Sequence, residues 1–235
     1  RQVWRRICRR LDLPWTEQFL AQEYRHVVLA QRLDTLAAYQ RASRRGRGSA
    51  LSAKHKERVW QAIEAFRAEV AAAGTGTHLQ ICARAADLLS DADLGAHGFT
   101  HVVVDEAQDL HPAQWRVLRA AVPPGPDDLF IAGDPHQRIY DCRVSLGALG
   151  IPVAGRSSRL RLNYRSTEEI LTWSTAVLLG TQIDDLGGDG ADTLAGYRSL
   201  LHGRKPTVGG FPSEQAEVTA VVARVREWLG QGVRA

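Results

Sequence analysis

The sequence has 235 residues, enough for one large domain or two modest ones. With 44% hydrophobic residues, 24% charged residues and a formal net charge of +4, it has the composition of an ordinary globular protein, which excludes wholesale disorder. No apolar run reaches membrane-spanning length and no signal-peptide pattern is present, so a soluble, cytoplasmic protein without a membrane partner is expected.

Cys8, Cys82 and Cys142 are scattered and form no CxxC pair, so they read as reduced core residues rather than a disulfide framework or zinc site. The chain opens at Arg1 and contains no methionine, and is expected to be a piece of something longer. Its positive charge is concentrated at one end. Residues 1–95 hold 16 Lys/Arg against 10 Asp/Glu, while residues 96–235 hold 14 against 16. Clusters at Arg5-Arg6, Arg9-Arg10 and Arg44-Arg45-Gly46-Arg47 can attract phosphate backbones, or can be plain solvated surface.

Residues 1–94 read as helices. Phe19, Leu20, Tyr24, Val27, Val28 and Leu29 form an apolar stripe on a helix from Trp15 to Gln31, with Thr16 as its N-cap. Asp34 can cap a second helix running to about Arg44. Ser52 can cap a third, carrying Val59, Ile63, Phe66 and Val70 on one face. Thr77 begins a fourth, through Leu79, Ala83, Ala86 and Leu89. Lys54 and Lys56 are expected to be solvated. The pattern then changes. Residues 99–104 are a β-branched run stopped by acids, and read as a buried strand. Pro112 suits the first turn of a helix running to Val122, and residues 129–132 form the next strand. Strand, helix, strand over this length predicts a βαβ unit with a parallel sheet. Residues 159–162 are a third strand candidate. Ser166 and Glu169 have capping-box spacing for a helix ending near Leu179. Residues 181–212 read as loop, and a last amphipathic helix runs from about Ser213 to Leu229.

Two strands end in carboxylates: Val104 is followed by Asp105-Glu106-Ala107-Gln108-Asp109, and Ala132 by Gly133-Asp134. Ligands of open parallel sheets bind beyond the carboxyl ends of the strands. A carboxylate there can hold a hydrated magnesium ion on nucleotide phosphates, and a second beside it can orient and deprotonate water.

Three segments resemble motifs of the UvrD/Rep-type superfamily 1 DNA helicases. HVVVDEAQDL (101–110) looks like their motif II, FIAGDPHQRIYDCR (130–143) like motif III and LRLNYRSTEEIL (160–171) like motif IV, in the family's order. The resemblance implies an α/β fold: a RecA-like, P-loop NTPase core segment with a parallel sheet and an N-terminal all-helical subdomain. By that pattern residues 1–94 are a 1B-like insertion, 95–155 part of motor domain 1A, and 156–235 the start of motor domain 2A. The implied activity is ATP-dependent movement on single-stranded DNA and unwinding of duplex DNA, with ATP and Mg2+ as cofactors.

The resemblance also implies roles. Asp105 would bind magnesium with Glu106 beside it, and Glu106 would activate water. Gln137 would sense the γ-phosphate, and Arg165 would act as an arginine finger. Tyr164 would stack on adenine. Gln108 and Asp109 would couple the nucleotide site to DNA, with Asp134 also among the nucleotide-binding residues. Tyr140 and Arg143 would meet DNA.

Two departures stand out. No G-x-x-x-x-G-K-[ST] loop occurs, and without it no backbone amides cradle phosphates. In the family that loop lies upstream, so truncation is expected to explain its absence. Cys142 occupies a position where some relatives carry a DNA-stacking tryptophan, a contact worth about 1–3 kcal/mol per base. A second function class therefore stays open: a non-hydrolysing nucleic-acid-binding or scaffolding relative. A two-metal nuclease is disfavoured, because no further strand-end carboxylate cluster accompanies the acids.

Overall fold

The structure, a computed structural model, describes residues 2–91, 98–137, 145–181, 183–184, 191–192 and 194–234. Its helices are α1 (Gln2–Arg10), α2 (Glu17–Glu23), α3 (Leu36–Arg41), α4 (Ala53–Ala72), α5 (His78–Asp91), α6 (Pro112–Ala120), α7 (Glu168–Val177) and α8 (Glu214–Gly230). Short strands are β1 (Val102–Val104), β2 (Leu129–Ile131), β3 (Leu162–Asn163), β4 (Ile183–Asp184), β5 (Ala191–Asp192) and β6 (Arg198–Ser199). The chain divides into two compact units, Arg1–Ser157 with Gln182–Thr193, and Ser158–Thr181 with Leu194–Ala235.

In the first unit, local capping chemistry starts the helices. Thr16, Ser52 and Thr77 each accept a hydrogen bond from the backbone N–H three residues on, at 3.2, 3.2 and 3.3 Å. The second cap differs from expectation: Thr35, not Asp34, accepts the Ala38 N–H at 3.2 Å, and α3 ends at Arg41. The stripe after Thr16 begins as α2 and widens into a π-helical run, Tyr24–Leu29. Leu20, Tyr24, Val27 and Val28 are buried in a core with Trp4, Val59, Ile63 and Phe66. Trp4 and Phe66 stack with centroids 4.1 Å apart. Each such side chain contributes about 1.5–3 kcal/mol on burial.

The basic clusters are largely spent on ion pairs. Arg5 meets Glu17 at 2.7 Å, and Arg6 and Arg10 meet Glu69 at 2.8 and 3.0 Å. Arg44 and Arg47 turn inward onto Glu23, which is fully buried and also accepts the Tyr39 hydroxyl at 2.8 Å. Lys56 is not simply solvated, because its Nζ donates to the Gln40 carbonyl at 2.6 Å. Cys8 and Cys82 are free and half-buried, whereas Cys142 lies outside the described residues.

The βαβ reading is realised in miniature. β1 and β2 pair in parallel, Val102 to Leu129, Val103 to Phe130 and Val104 to Ile131, with α6 between them in sequence. Pro112 occupies the first turn of α6, behind a capping box built on His111 and Gln114. Val104, Ala107, Trp115, Leu146 and Ile151 form a second small core. Two expectations need correction. The strand begins at Val102 rather than Phe99, and it is buried on one side only: Val104 is 5% exposed while Val103 and its partner Phe130 are 76% and 67% exposed. A buried parallel strand needs cover on both faces, and among the described residues one face has it. β4 and β5 pair antiparallel inside the stretch read as loop.

The second unit holds β3, α7, β6 and α8. β3 comprises Leu162–Asn163 rather than 159–162, and its parallel partner is β6, not β1 or β2. Thr167, not Ser166, caps α7 by accepting from Ile170 N–H. The carboxylates behind it reach across instead. Glu168 accepts the Ser199 N–H at 2.6 Å, and Glu169 accepts the Gly203 N–H at 2.8 Å. α8 covers the stretch expected for the last helix, and Ser213 caps it by accepting the Ala216 N–H at 3.2 Å. Among the described residues no helix is long and apolar enough to cross a membrane.

Candidate active site

The parallel pair delivers its two carboxyl ends side by side. Ala132 N–H donates to Val104 O at 2.8 Å, and Ala107 N–H donates to Ala132 O at 3.0 Å, so the strand ends stay zipped beyond the sheet. Between those bonds the chain turns sharply at Glu106, whose φ of 50° and ψ of 43° are left-handed. A non-glycine residue seldom adopts this conformation, and such strain clusters at functional sites. Asp105 Oδ1 supports it by accepting the Glu106 N–H at 2.9 Å.

Gln108 carries the connection onward. Its side chain is buried, and its Nε2 donates to Glu106 Oε2 at 2.6 Å while its Oε1 accepts the Asp134 N–H at 2.9 Å. Only this orientation of the amide satisfies a carboxylate on one side and an N–H on the other. Asp134 continues the chain. Its Oδ1 accepts the His136 N–H at 2.9 Å and its Oδ2 accepts Gln137 Nε2 at 2.9 Å. Burial pushes the Asp134 carboxyl up, but donation from Gln137 and His136 outweighs it and holds the pKa below the usual carboxylate value. Glu106, Gln108, Asp134 and Gln137 thus form one hydrogen-bonded chain across the ends of β1 and β2.

Gly133 permits that chain. A Cβ there would lie 2.8 Å from Gln108 Oε1 and 2.9 Å from the Ala107 Cβ, closer than packed atoms approach. Asp109 donates its N–H to Glu106 O at 3.0 Å, and its Oδ1 is buried without a hydrogen-bond partner among the described residues.

The donor set suits a magnesium ion better than a protein-caged metal. Among the described residues no three His, Cys, Asp or Glu side chains group closely enough to hold a metal by themselves. Magnesium keeps several waters and takes one or two carboxylates plus phosphate oxygens. Asp134 has both oxygens engaged, whereas exposed Asp105 has only Oδ1 engaged, by the neighbouring amide. Asp105 thus keeps one carboxylate oxygen without a hydrogen bond among the described residues.

Tyr164 and Arg165 belong to the second unit, where both are exposed. Asn163 Oδ1 accepts the Arg165 N–H at 2.8 Å and the Ser166 N–H at 2.9 Å, an Asx turn that lifts the two side chains off the end of β3. Tyr140 and Arg143 lie outside the described residues. Reading the sequence missed Gly133 and Asn163 as supports. An Asn at the end of a strand and before Tyr-Arg-Ser-Thr was a usable turn signal; the crowding at Gly133 had none.

The profile of the UvrD/REP helicase N-terminal domain matches residues 95–146, the stretch that contains this hydrogen-bonded chain. The chain carries a UvrD-like helicase segment. Similar proteins include one subunit of the ATP-dependent helicase/nuclease of Lacticaseibacillus casei (strain BL23), 32% identical over 127 residues, or 48% of this chain and 10% of the relative. The RecBCD enzyme subunit RecB of Mycolicibacterium smegmatis is 36% identical over 85 residues, 35% of this chain and 8% of that protein. The ATP-dependent DNA helicase UvrD2 of Mycobacterium bovis is 28% identical over 140 residues, 55% of this chain and 19% of that protein. The match thus spans less than a fifth of the length of each of these relatives. The mixed helices and small parallel sheets are compatible with a UvrD-like domain.

Proposed function

We propose that the chain is part of an ATP-driven DNA helicase motor, with residues 95–155 contributing to a RecA-like P-loop NTPase core. Residues 1–94 are its helical 1B-like insertion, and residues 156–235 open the second motor domain. The carrying observation is the chain Glu106–Gln108–Asp134–Gln137 at the ends of two parallel strands. It is supported by the UvrD-like match over the same residues and by relatives named as ATP-dependent helicases.

Bound Mg2+ and ATP would supply a polarised phosphoanhydride whose γ-phosphoryl passes to water. Asp105 offers its unengaged carboxylate oxygen to the ion. Glu106, aimed by the Gln108 amide, takes the proton of the attacking water. Gln137, held on Asp134, presents its side chain toward the transferred group. Arg165 serves as the arginine finger and Tyr164 as the adenine platform. Gln108 and Asp109 pass the state of the nucleotide to the DNA-binding residues Tyr140 and Arg143. The substrates are single-stranded and duplex DNA, and the setting is cytoplasmic. This chain alone, without a phosphate-binding loop, hydrolyses little or no ATP.

The test is Glu106→Gln in the full-length protein that contains this chain. The exchange keeps size and hydrogen bonding and removes the base. DNA-stimulated turnover should fall by about 10²–10⁴-fold with nucleotide binding retained. Unchanged turnover in the variant refutes the assignment. Absence of turnover in the unmutated full-length protein supports instead a non-hydrolysing relative.

A further inference from the structure

The acid turn is tied at both ends, and one tie comes from a distant part of the first unit. His111 follows the turn directly and is 2% exposed. Its Nδ1 accepts the Ala113 N–H at 3.1 Å, capping α6. Its Nε2 lies 2.8 Å from the Arg25 carbonyl oxygen, on the π-helical run. A ring that accepts at Nδ1 and faces a carbonyl at Nε2 must be the neutral, Nε2-protonated tautomer, donating to Arg25.

One turn further along α6, Arg116 reaches the same helical run. Its Nη1 donates to Leu29 O at 3.3 Å and its Nη2 donates to Ala30 O. These carbonyls belong to the last turn of the run begun at Glu17, where acceptors lack intrahelical partners and the helix dipole favours a cation. Arg116 thus closes a helix end that lies 86 residues earlier in the sequence. The π-helical widening sits at this contact, and such widenings often mark functional points in helices.

We infer that His111 and Arg116 are positioning residues, a two-pronged clasp that makes the conformation of the Glu106–Asp109 turn depend on the helical run 17–30. The physical reason is the shortness of the link. Ala107 is pinned to Ala132 on the β2 side, and His111 is pinned to Arg25 on the helical side. Only Gln108, Asp109 and Leu110 lie between the two anchors, with left-handed Glu106 immediately before the first and joined to this stretch by the Gln108 bridge. A displacement of the helical run is therefore taken up in the turn rather than dissipated in a long loop. The inference concerns the geometry of the turn and holds whatever the turn handles. Its consequence for ATP turnover rests on the function proposed above.

The experiment is amide-resolved hydrogen exchange on this chain with three substitutions. His111→Asn keeps a capping oxygen for α6 but is too short to reach Arg25. Arg116→Ala removes the second prong without touching the cap. Arg119→Ala is the control, since Arg119 lies on the same helix but bonds Asp128 and Val122. Exchange in residues 106–110 should rise about fivefold or more in each clasp variant, as expected for one lost hydrogen bond. Val102–Val104 should stay at wild-type rates, and Arg119→Ala should leave 106–110 unchanged. Acceleration confined to residues 24–31 and 112–120 would overturn the inference, showing a contact that docks α6 without governing the turn. An equal effect from Arg119→Ala would overturn it too, as general loosening. If His111→Asn fails to fold, Arg116→Ala decides by the same criteria.

Discussion

Glu23 offers the sharpest energetic test in the molecule. Its carboxylate is 0% exposed and serves Tyr39 OH, Arg44 and Arg47, whose own side chains are only 8% and 10% exposed. Glu23→Ala leaves two guanidinium groups half-walled in protein without their counter-charge. Removing one partner of a buried pair costs about 3–5 kcal/mol. Glu23→Gln keeps the shape and an acceptor but loses the charge, and a hydrogen bond to a charged group is worth about 1.5–3 kcal/mol. The assay is a urea titration read by hydrogen exchange in α4 peptides, which report this core rather than the second unit. With a slope of about 2 kcal/mol/M, Glu23→Ala should lower the midpoint by about 1.5–2.5 M and Glu23→Gln by roughly half that. Burial pushes the Glu23 carboxyl up, but Arg44, Tyr39 and Arg47 together hold its pKa below the ordinary value of 4.5. The stabilisation is therefore fully present above pH 4.5 and is lost as pH falls through the lower, folded pKa. A midpoint shift below about 0.5 M for Glu23→Ala would refute the reasoning, because it would mean that Arg44 and Arg47 reach water without cost.

Three further outcomes follow from the same structure. Gly133→Ala should cost about 1–3 kcal/mol by overpacking against Gln108 and Ala107, and should speed exchange of the Asp134 amide; a wild-type urea midpoint would contradict the crowding. His111 has its pKa lowered from 6.5 to about 4, by burial first, with the charges of Arg25, His26 and Arg116 adding to it against the hydrogen bond to Arg25 O. The unfolded chain takes up that proton first, so the first unit should lose stability between pH 6.5 and 4 at about 1.4 kcal/mol per pH unit. His111→Asn should flatten that limb, and an unchanged profile would show that the ring is not neutral when folded. Asn163→Ala should speed exchange at the Arg165 and Ser166 amides about tenfold, with Asn163→Asp restoring protection; equal rates in all three proteins would dismiss the Asx turn as a support for Arg165.

Much of the local architecture was legible in the order of residues. Thr16, Ser52, Thr77 and Ser213 cap helices, and Pro112 opens one, because each choice is settled within three or four residues along the chain. The parallel pairing of β1 with β2 followed from strand, helix, strand at short spacing. The acids of the candidate site stood out because they stop an apolar strand. Where two adjacent residues could both cap, as Asp34 and Thr35 or Ser166 and Thr167 can, local chemistry is degenerate and packing decided. Glu169 is the example: instead of serving a capping box it meets Gly203, and its own and Gly203's amides lower its pKa to about 2.

What only the tertiary structure decided is long-range. Nothing near Arg44 or Arg47 in sequence indicates that they turn inward to Glu23, more than twenty residues away. Gln108 and Asp134 are 26 residues apart, and His111 and Arg25 are 86. β3 found β6 rather than the β1–β2 pair. Caps and turns are chosen by hydrogen bonds to neighbouring residues, which the order of amino acids specifies directly. Buried ion pairs, sheet partners and the Glu106–Gln137 chain are chosen by which polar groups would otherwise be stranded away from water, and that depends on the packed interior as a whole.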